Sequence, residues 1–241
     1  MTKPIKTNAK AQVYNGAMRF FVVCALLLAV IGVGVFVFYT RHYEEPTVPS
    51  GEFPPDEIPV IEATVATPEI TFGYSKEFDL AVTVEQVLVN AYIPPCSEGF
   101  DYCLYYNAKA YEGTNFESAG VRVNRRADLT TATSCLTTPP EGYDALAPDV
   151  TVMGKPSVSR FSALGDAGAG HYASGELYRL WDEPTCFEFE TRIGASQYAN
   201  YAEGTITEFT EGDRTTVMSL LQQILDSVTL TETGQKVVFP K

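Results

Sequence analysis

Hydrophobic and polar positions change rhythm three times along this chain of 241 residues. Residues 20–40, FFVVCALLLAVIGVGVFVFYT, carry no charge and are apolar almost throughout. As a helix rising ~1.5 Å per residue, the run is about 30 Å long, the thickness of a bilayer's hydrocarbon core, and predicts one transmembrane helix. Periodicity then disappears. Residues 44–69 hold six prolines, seven acids and no Lys or Arg, so residues 41–69 read as an extended, mobile spacer. From residue 70 the period becomes two. Ile70, Phe72 and Tyr74 alternate with polar or small residues, and residues 80–84, 87–93, 104–106, 120–124, 172–180 and 186–193 read as further strands. Pro94-Pro95 stops the third of these runs, because proline donates nothing to a ladder. Asp182-Glu183-Pro184 supplies a turn between the last two. In the final strand Phe187, Phe189 and Thr191 fall on one face, Glu188, Glu190 and Arg192 on the other. Residues 137–156, rich in Pro, Thr, Asp and Gly, read as a long surface connection.

One segment has a clear helical period: Val217, Leu220, Leu221, Ile224, Leu225 and Val228 share a stripe, with Asp213 as its candidate cap. Shorter helices fit residues 127–132 or 195–201. The fold class implied is α+β over residues 70–241, an antiparallel β-sheet packed by a C-terminal helix and preceded by one transmembrane helix.

Charge sets the expected topology. Lys3, Lys6, Lys10 and Arg19 precede the apolar run, and no acid occurs before Glu44. Positive flanks stay inside, so residues 1–19 are expected to be cytoplasmic and the remainder exported, a single-pass signal-anchor arrangement in a cell membrane. From Glu44 onward, twelve Lys or Arg face thirty acids, a formal charge of −18. A cleaved signal peptide with Gly32 and Gly34 at the cleavage site is the alternative, but an apolar region of roughly 7–15 residues is usual there. Cys24 falls within the apolar run, which leaves Cys96, Cys103, Cys135 and Cys186. Four cysteines outside the cytoplasm predict two disulfides, of three connectivities, with the local Cys96–Cys103 clamp the simplest. A structural zinc site needs closely spaced ligand pairs, which Cys135 and Cys186 lack.

Candidate chemistry is sparse. Only His42 and His171 are present, and neither Ser174, Asp166 nor Glu176 near His171 belongs to a nucleophile signature. The run Gly165 to Gly170 leads into a strand rather than opening a helix, so it reads as a flexible loop and not a phosphate cradle. No calcium-loop pattern occurs, and no cofactor or metal is expected. Arg122, Arg125 and Arg126 are no nucleic-acid footprint on so acidic a domain; they either bind an anionic group or pair with neighbouring acids. Tyr102, Tyr105, Tyr106, Tyr111 and Phe116 crowd around the clamped hairpin, either as an interaction surface or alternately as core. The candidate binding rim is therefore His171, Arg122, Tyr105 and Tyr106.

Three blocks carry a family resemblance: Ile70-Thr71-Phe72-Gly73-Tyr74 with Phe78-Asp79-Leu80; residues 115–124; and residues 178–189 with Phe209 and the helix ending Ser227-Val228-Thr229-Leu230. Their order resembles small PsbP-like domains and is similar to uncharacterised membrane-anchored proteins of small-genome bacteria. The resemblance implies a central antiparallel sheet sandwiched by helices and a binding module, and transfers no catalytic residue. The chain departs from it at the Cys96–Cys103 insertion. The expected function is a non-enzymatic, membrane-anchored extracytoplasmic interaction module for an envelope protein or surface polymer. The alternatives are an anchored envelope hydrolase using acidic residues, or a transmembrane sensor.

Overall fold

The computed structural model describes residues 61–241 apart from 97, 98 and 108. The expected transmembrane helix, the cytoplasmic tail and most of the spacer lie outside the described residues. Among the described residues no helix is long and apolar enough to cross a membrane.

The domain is α+β and mostly antiparallel. Strands β1 (Ala63–Ala66) and β2 (Ile70–Tyr74) pair with the short C-terminal β10 (Thr229–Leu230) in a three-stranded sheet. The main sheet has seven strands in the order β3-β4-β5-β9-β8-β7-β6. These are β3 (Phe78–Ala81), β4 (Tyr102–Tyr106), β5 (Phe116–Arg125), β6 (Val150–Val152), β7 (Ser157–Gly168), β8 (His171–Asp182) and β9 (Thr185–Ser196). Two α-helices complete it, α1 (Ala132–Thr137) and α2 (Glu211–Asp226).

The alternation read in β9 decides the architecture. Phe187, Phe189 and Ile193 point to one face, where they join Val121, Val123, Tyr178 and Leu180 in the principal core. Helix α2 lies on that face, burying Val217, Leu221, Ile224 and Leu225 against β5, β9 and β2. Its start is capped by Thr210 rather than Asp213. Thr210 Oγ1 accepts from the Asp213 amide at 3.2 Å, while the Asp213 carboxylate accepts from the Thr210 amide at 2.9 Å, a reciprocal capping box.

The opposite face is charged at its centre and apolar only at its margins. Three small clusters ring it. Ala81, Cys96, Cys103 and Tyr105 form one; Leu129, Cys135 and Cys186 with Trp181 a second; Phe161, Leu164 and Leu177 with Tyr143 and Leu146 a third. Both disulfides form as Cys96–Cys103 and Cys135–Cys186, one in each of the first two clusters. Disulfides persist in oxidising compartments, which identifies this as an extracytoplasmic type of domain.

Four readings of the pattern need correction. Strand β1 lies inside the stretch whose prolines and acids suggested a spacer; its pairing with β2 from Ala63↔Tyr74 to Ala66↔Thr71 incorporates it into the fold. Residues 87–93, β-branched and period-two, form no strand, and 82–84 leave the sheet after Ala81. β-Propensity measures fit to a half-buried pleat, and this segment instead crosses the charged face as a strap. Ser118 Oγ donates to the Ile93 carbonyl at 3.0 Å, and Gly120 has no side chain because Pro95 and the Leu104 carbonyl occupy the place of a Cβ. The glycine run is not a loop either: β7 continues through Gly168, and only Ala169 (φ 51°) and Gly170 (φ 84°) make a two-residue hairpin turn. Finally, α1 begins at Ala132, where 127–132 was expected, and β6 interrupts the long connection after it.

Candidate functional site

On the charged face, the register of β5, β8 and β9 stacks like with unlike. Arg122 lies opposite Glu190, Asn124 opposite Glu188, and Arg179 opposite Glu188 on the other side. Each pair shares one face because paired residues of an antiparallel ladder point the same way.

The resulting network is dense. Glu188, 2% exposed, takes Arg122 Nη2 at 2.5 Å on one oxygen and Arg126 Nη1 at 2.8 Å on the other. Arg179 Nε lies 2.5 Å from that second oxygen, although its N–H is not directed at it. Glu190 holds Arg122 Nη2 at 2.8 Å and Arg192 through Nη2 at 2.7 Å. Arg126 grips Asp128 with Nε at 2.9 Å and Nη2 at 2.7 Å, a bidentate pair. That pair, chiefly through its hydrogen bonds, holds the Asp128 carboxyl below its ordinary value and the Arg126 guanidinium above its own. Burial acts in the other direction on Arg179, whose guanidinium is pulled below its usual value because no water reaches it. It donates to the Cys135 carbonyl at 3.2 Å, and its Nη2 is buried without a partner.

Above this floor a cavity of about 490 Å³ opens. Arg122, Arg126, Arg192, Glu188 and Glu190 lie on its charged side. Leu164, Leu177, Pro140 and Tyr143 form an apolar side, with Gly99 of the clamp and Glu141 at the edges. The roof is the chain after α1, at Pro140, Glu141 and Tyr143. Cys135–Cys186 ties α1 to the start of β9, and Tyr143 Oη donates to the Gly165 carbonyl at 2.6 Å.

Of the four residues of the candidate rim, only Arg122 lines this cavity. Tyr105 is buried in the clamp cluster with its hydroxyl on the Gln86 carbonyl. Tyr106 is on the opposite face, in an aromatic group with Tyr111, Phe116 and Phe209. His171 sits at the β7–β8 hairpin, paired with Glu117 and stacked on Tyr92 at 4.4 Å between ring centroids. Ser174 is engaged by Arg214 rather than by His171. Arg125 pairs with Glu69. Arg179, Arg192, Glu188 and Glu190 went unremarked as site residues. Their signal was a run of charge at alternate positions of one strand, 188, 190 and 192, which places three charges on one sheet face.

Among the described residues no group of His, Cys, Asp and Glu is placed to hold a metal ion. No family model matches the chain, and neither does any curated protein. Among solved structures the chain is similar to LpqN, involved in cell envelope biogenesis of Mycobacterium tuberculosis. The identity is 11% over 70% of this chain and 90% of that one, with a TM-score of 0.38.

Proposed function

We propose that the chain is a single-pass, membrane-anchored extracytoplasmic binding module whose ligand site is the cavity on the charged sheet face. In this reading residues 20–40 span the bilayer with residues 1–19 in the cytoplasm, and the residues before β1 carry the domain clear of the membrane. Its ligand belongs to the cell envelope. The PsbP-like organisation, a central antiparallel sheet with a helix on either face, is part of the same reading.

The observation that carries the proposal is a formed cavity, floored by three arginines and two buried glutamates, in which both glutamates are already held by guanidinium groups. Ligand sites combine an apolar wall with a few fixed polar groups, as here. General acid–base chemistry instead asks for a carboxyl free to exchange its proton with substrate. Glu188 and Glu190, each held between arginines, are arranged to position those arginines.

The test uses the full-length chain in sealed right-side-out membrane vesicles. After alkaline carbonate extraction it is expected in the membrane pellet, and added protease is expected to remove the domain from outside. Release into the supernatant, or full protection from protease, overturns the anchored topology. Turnover by the purified full-length protein in a broad hydrolase screen overturns the non-enzymatic role.

A further inference from the structure

We infer that the cavity selects small amphipathic anions, a carboxylate or phosphate head on a flat apolar body. This deepens the binding-module reading and rests on it. Net charge does not choose the ligand, because the arginines and acids around the cavity nearly cancel. Hydrogen-bonding capacity does. The two oxygens of Glu188 already meet Arg122, Arg126 and Arg179, and those of Glu190 meet Arg122 and Arg192. Both Asp128 oxygens are taken by Arg126. Each of these carboxylate oxygens already faces a guanidinium.

The donors are in surplus. Each guanidinium carries five N–H bonds and accepts nothing. Arg122 uses a single nitrogen, Nη2, to reach both glutamates, and its Nε is buried with no partner. Arg192 directs Nε and Nη2 at one oxygen of Glu190. A ligand entering this space therefore meets surplus N–H groups held in place by carboxylates that already face guanidinium groups. An oxyanion satisfies them, and an ammonium does not. Glu141 carries the exposed negative charge at the edge, where solvent screens it. Facing the donors, Leu164, Leu177, Pro140 and Tyr143 give the apolar wall against which the body of the ligand lies. Tyr143 is held in place by its bond to the Gly165 carbonyl, so that wall is formed before the ligand arrives.

The experiment is calorimetric titration of the full-length protein in nanodiscs with four probes sharing one ring: phenylacetate, phenyl phosphate, phenylacetamide and phenethylamine. One or both anions are expected to bind at least about tenfold more tightly than the amide and the amine, and the stronger of the two identifies the head group. Arg192→Gln is expected to remove about tenfold or more of that affinity while the fold persists, because Glu190 keeps Arg122. Arg192→Lys, which keeps the charge but loses the planar fork, is expected to fall between. Asn124 also lines the cavity, and Asn124→Trp, which fills it, is expected to abolish binding. If the amide or amine binds as well as the anions and Asn124→Trp removes it, the anion assignment is overturned and the binding module stands. If an anion binds but neither Arg192→Gln nor Asn124→Trp weakens it, the site is elsewhere and the inference is overturned. If no probe gives heat at millimolar concentration, the ligand class and the cavity as ligand site both fall.

Discussion

Glu188→Gln is the most informative perturbation of the charged face. The side chain is almost wholly buried and stands among Arg122, Arg126 and Arg179. Losing its charge does not affect the three equally. Arg122 keeps Glu190, and Arg126 keeps its bidentate Asp128. Arg179, fully buried, keeps only the Cys135 carbonyl. Removing one partner of a buried pair costs about 3–5 kcal/mol, because the other charge is left without compensation in a medium that solvates it poorly. At about 2–4 °C per kcal/mol for a domain of this size, the melting temperature is expected to fall by roughly 6–20 °C. The assay is urea and thermal unfolding of the full-length protein in detergent, followed by circular dichroism with both disulfides intact. Adding Arg179→Met to Glu188→Gln removes the stranded charge and is expected to restore much of the loss, so the two substitutions are strongly coupled in a double-mutant cycle. A loss below about 1 kcal/mol for Glu188→Gln, or no recovery on adding Arg179→Met, would refute the assignment of Glu188 as the counter-charge of Arg179.

Three further outcomes follow from the same structure. Replacing Cys135 and Cys186 by alanine opens a loop of about fifty residues and is expected to cost on the order of 4 kcal/mol, with new protease sensitivity over residues 132–149; unchanged urea midpoint and proteolysis would contradict the roof. Thr210→Ala removes the acceptor for the Asp213 amide and is expected to destabilise α2 by about 1 kcal/mol, read from the urea midpoint; an unshifted midpoint would mean the capping box contributes nothing. Asp128 has a depressed folded-state pKa, so its contribution to stability is present above its unfolded value and is lost as pH falls through the folded one, below 3.8. Its carboxyl carbon, followed by NMR, is expected to titrate below 3.8 and to move up toward that value in Arg126→Gln; equal midpoints in the two proteins would remove Arg126 as the cause.

How far the pattern of residues disclosed the fold depended on whether each signal was local. The stripe Val217 to Val228 and the alternation Phe187 to Arg192 each state their period within a dozen residues, and both elements formed with the faces assigned. Strand β7 did not disclose itself, because Gly165, Ala167 and Gly168 offer no apolar alternation and its pairing partner lies across the turn. Residues 87–93 gave a false strand for the opposite reason. Val87, Leu88, Val89 and Ile93 suit a pleat, yet no sheet edge receives them, and proline, a disulfide and the Ser118 contact hold them across the charged face. The cavity was least legible. Arg122, Arg179, Glu188 and Glu190 come from three strands that neighbour one another only through a long-range register, so their adjacency is a property of topology and not of spacing.

A charged layer in the middle of a seven-stranded sheet also needs a physical reason. Strand β9 is central, with β5 and β8 on either side, and central positions are ordinarily given to packed apolar residues. Replacing a buried ionic set with apolar side chains of similar volume is often neutral or stabilising, so stability alone does not account for Arg179 and Glu188 at such positions. Filling the face with apolar groups would also close the space beneath the roof. Both features that keep it open are built on elements outside the principal core. Cys96–Cys103 fixes the wall that carries Gly99. Cys135–Cys186 joins α1, which leads into the roof, to β9 two residues from Glu188, so the start of the roof is tied to the strand of the charged floor. The α2 face thus supplies the main hydrophobic stability. The opposite face is released from that task and keeps a polar, covered and preformed space.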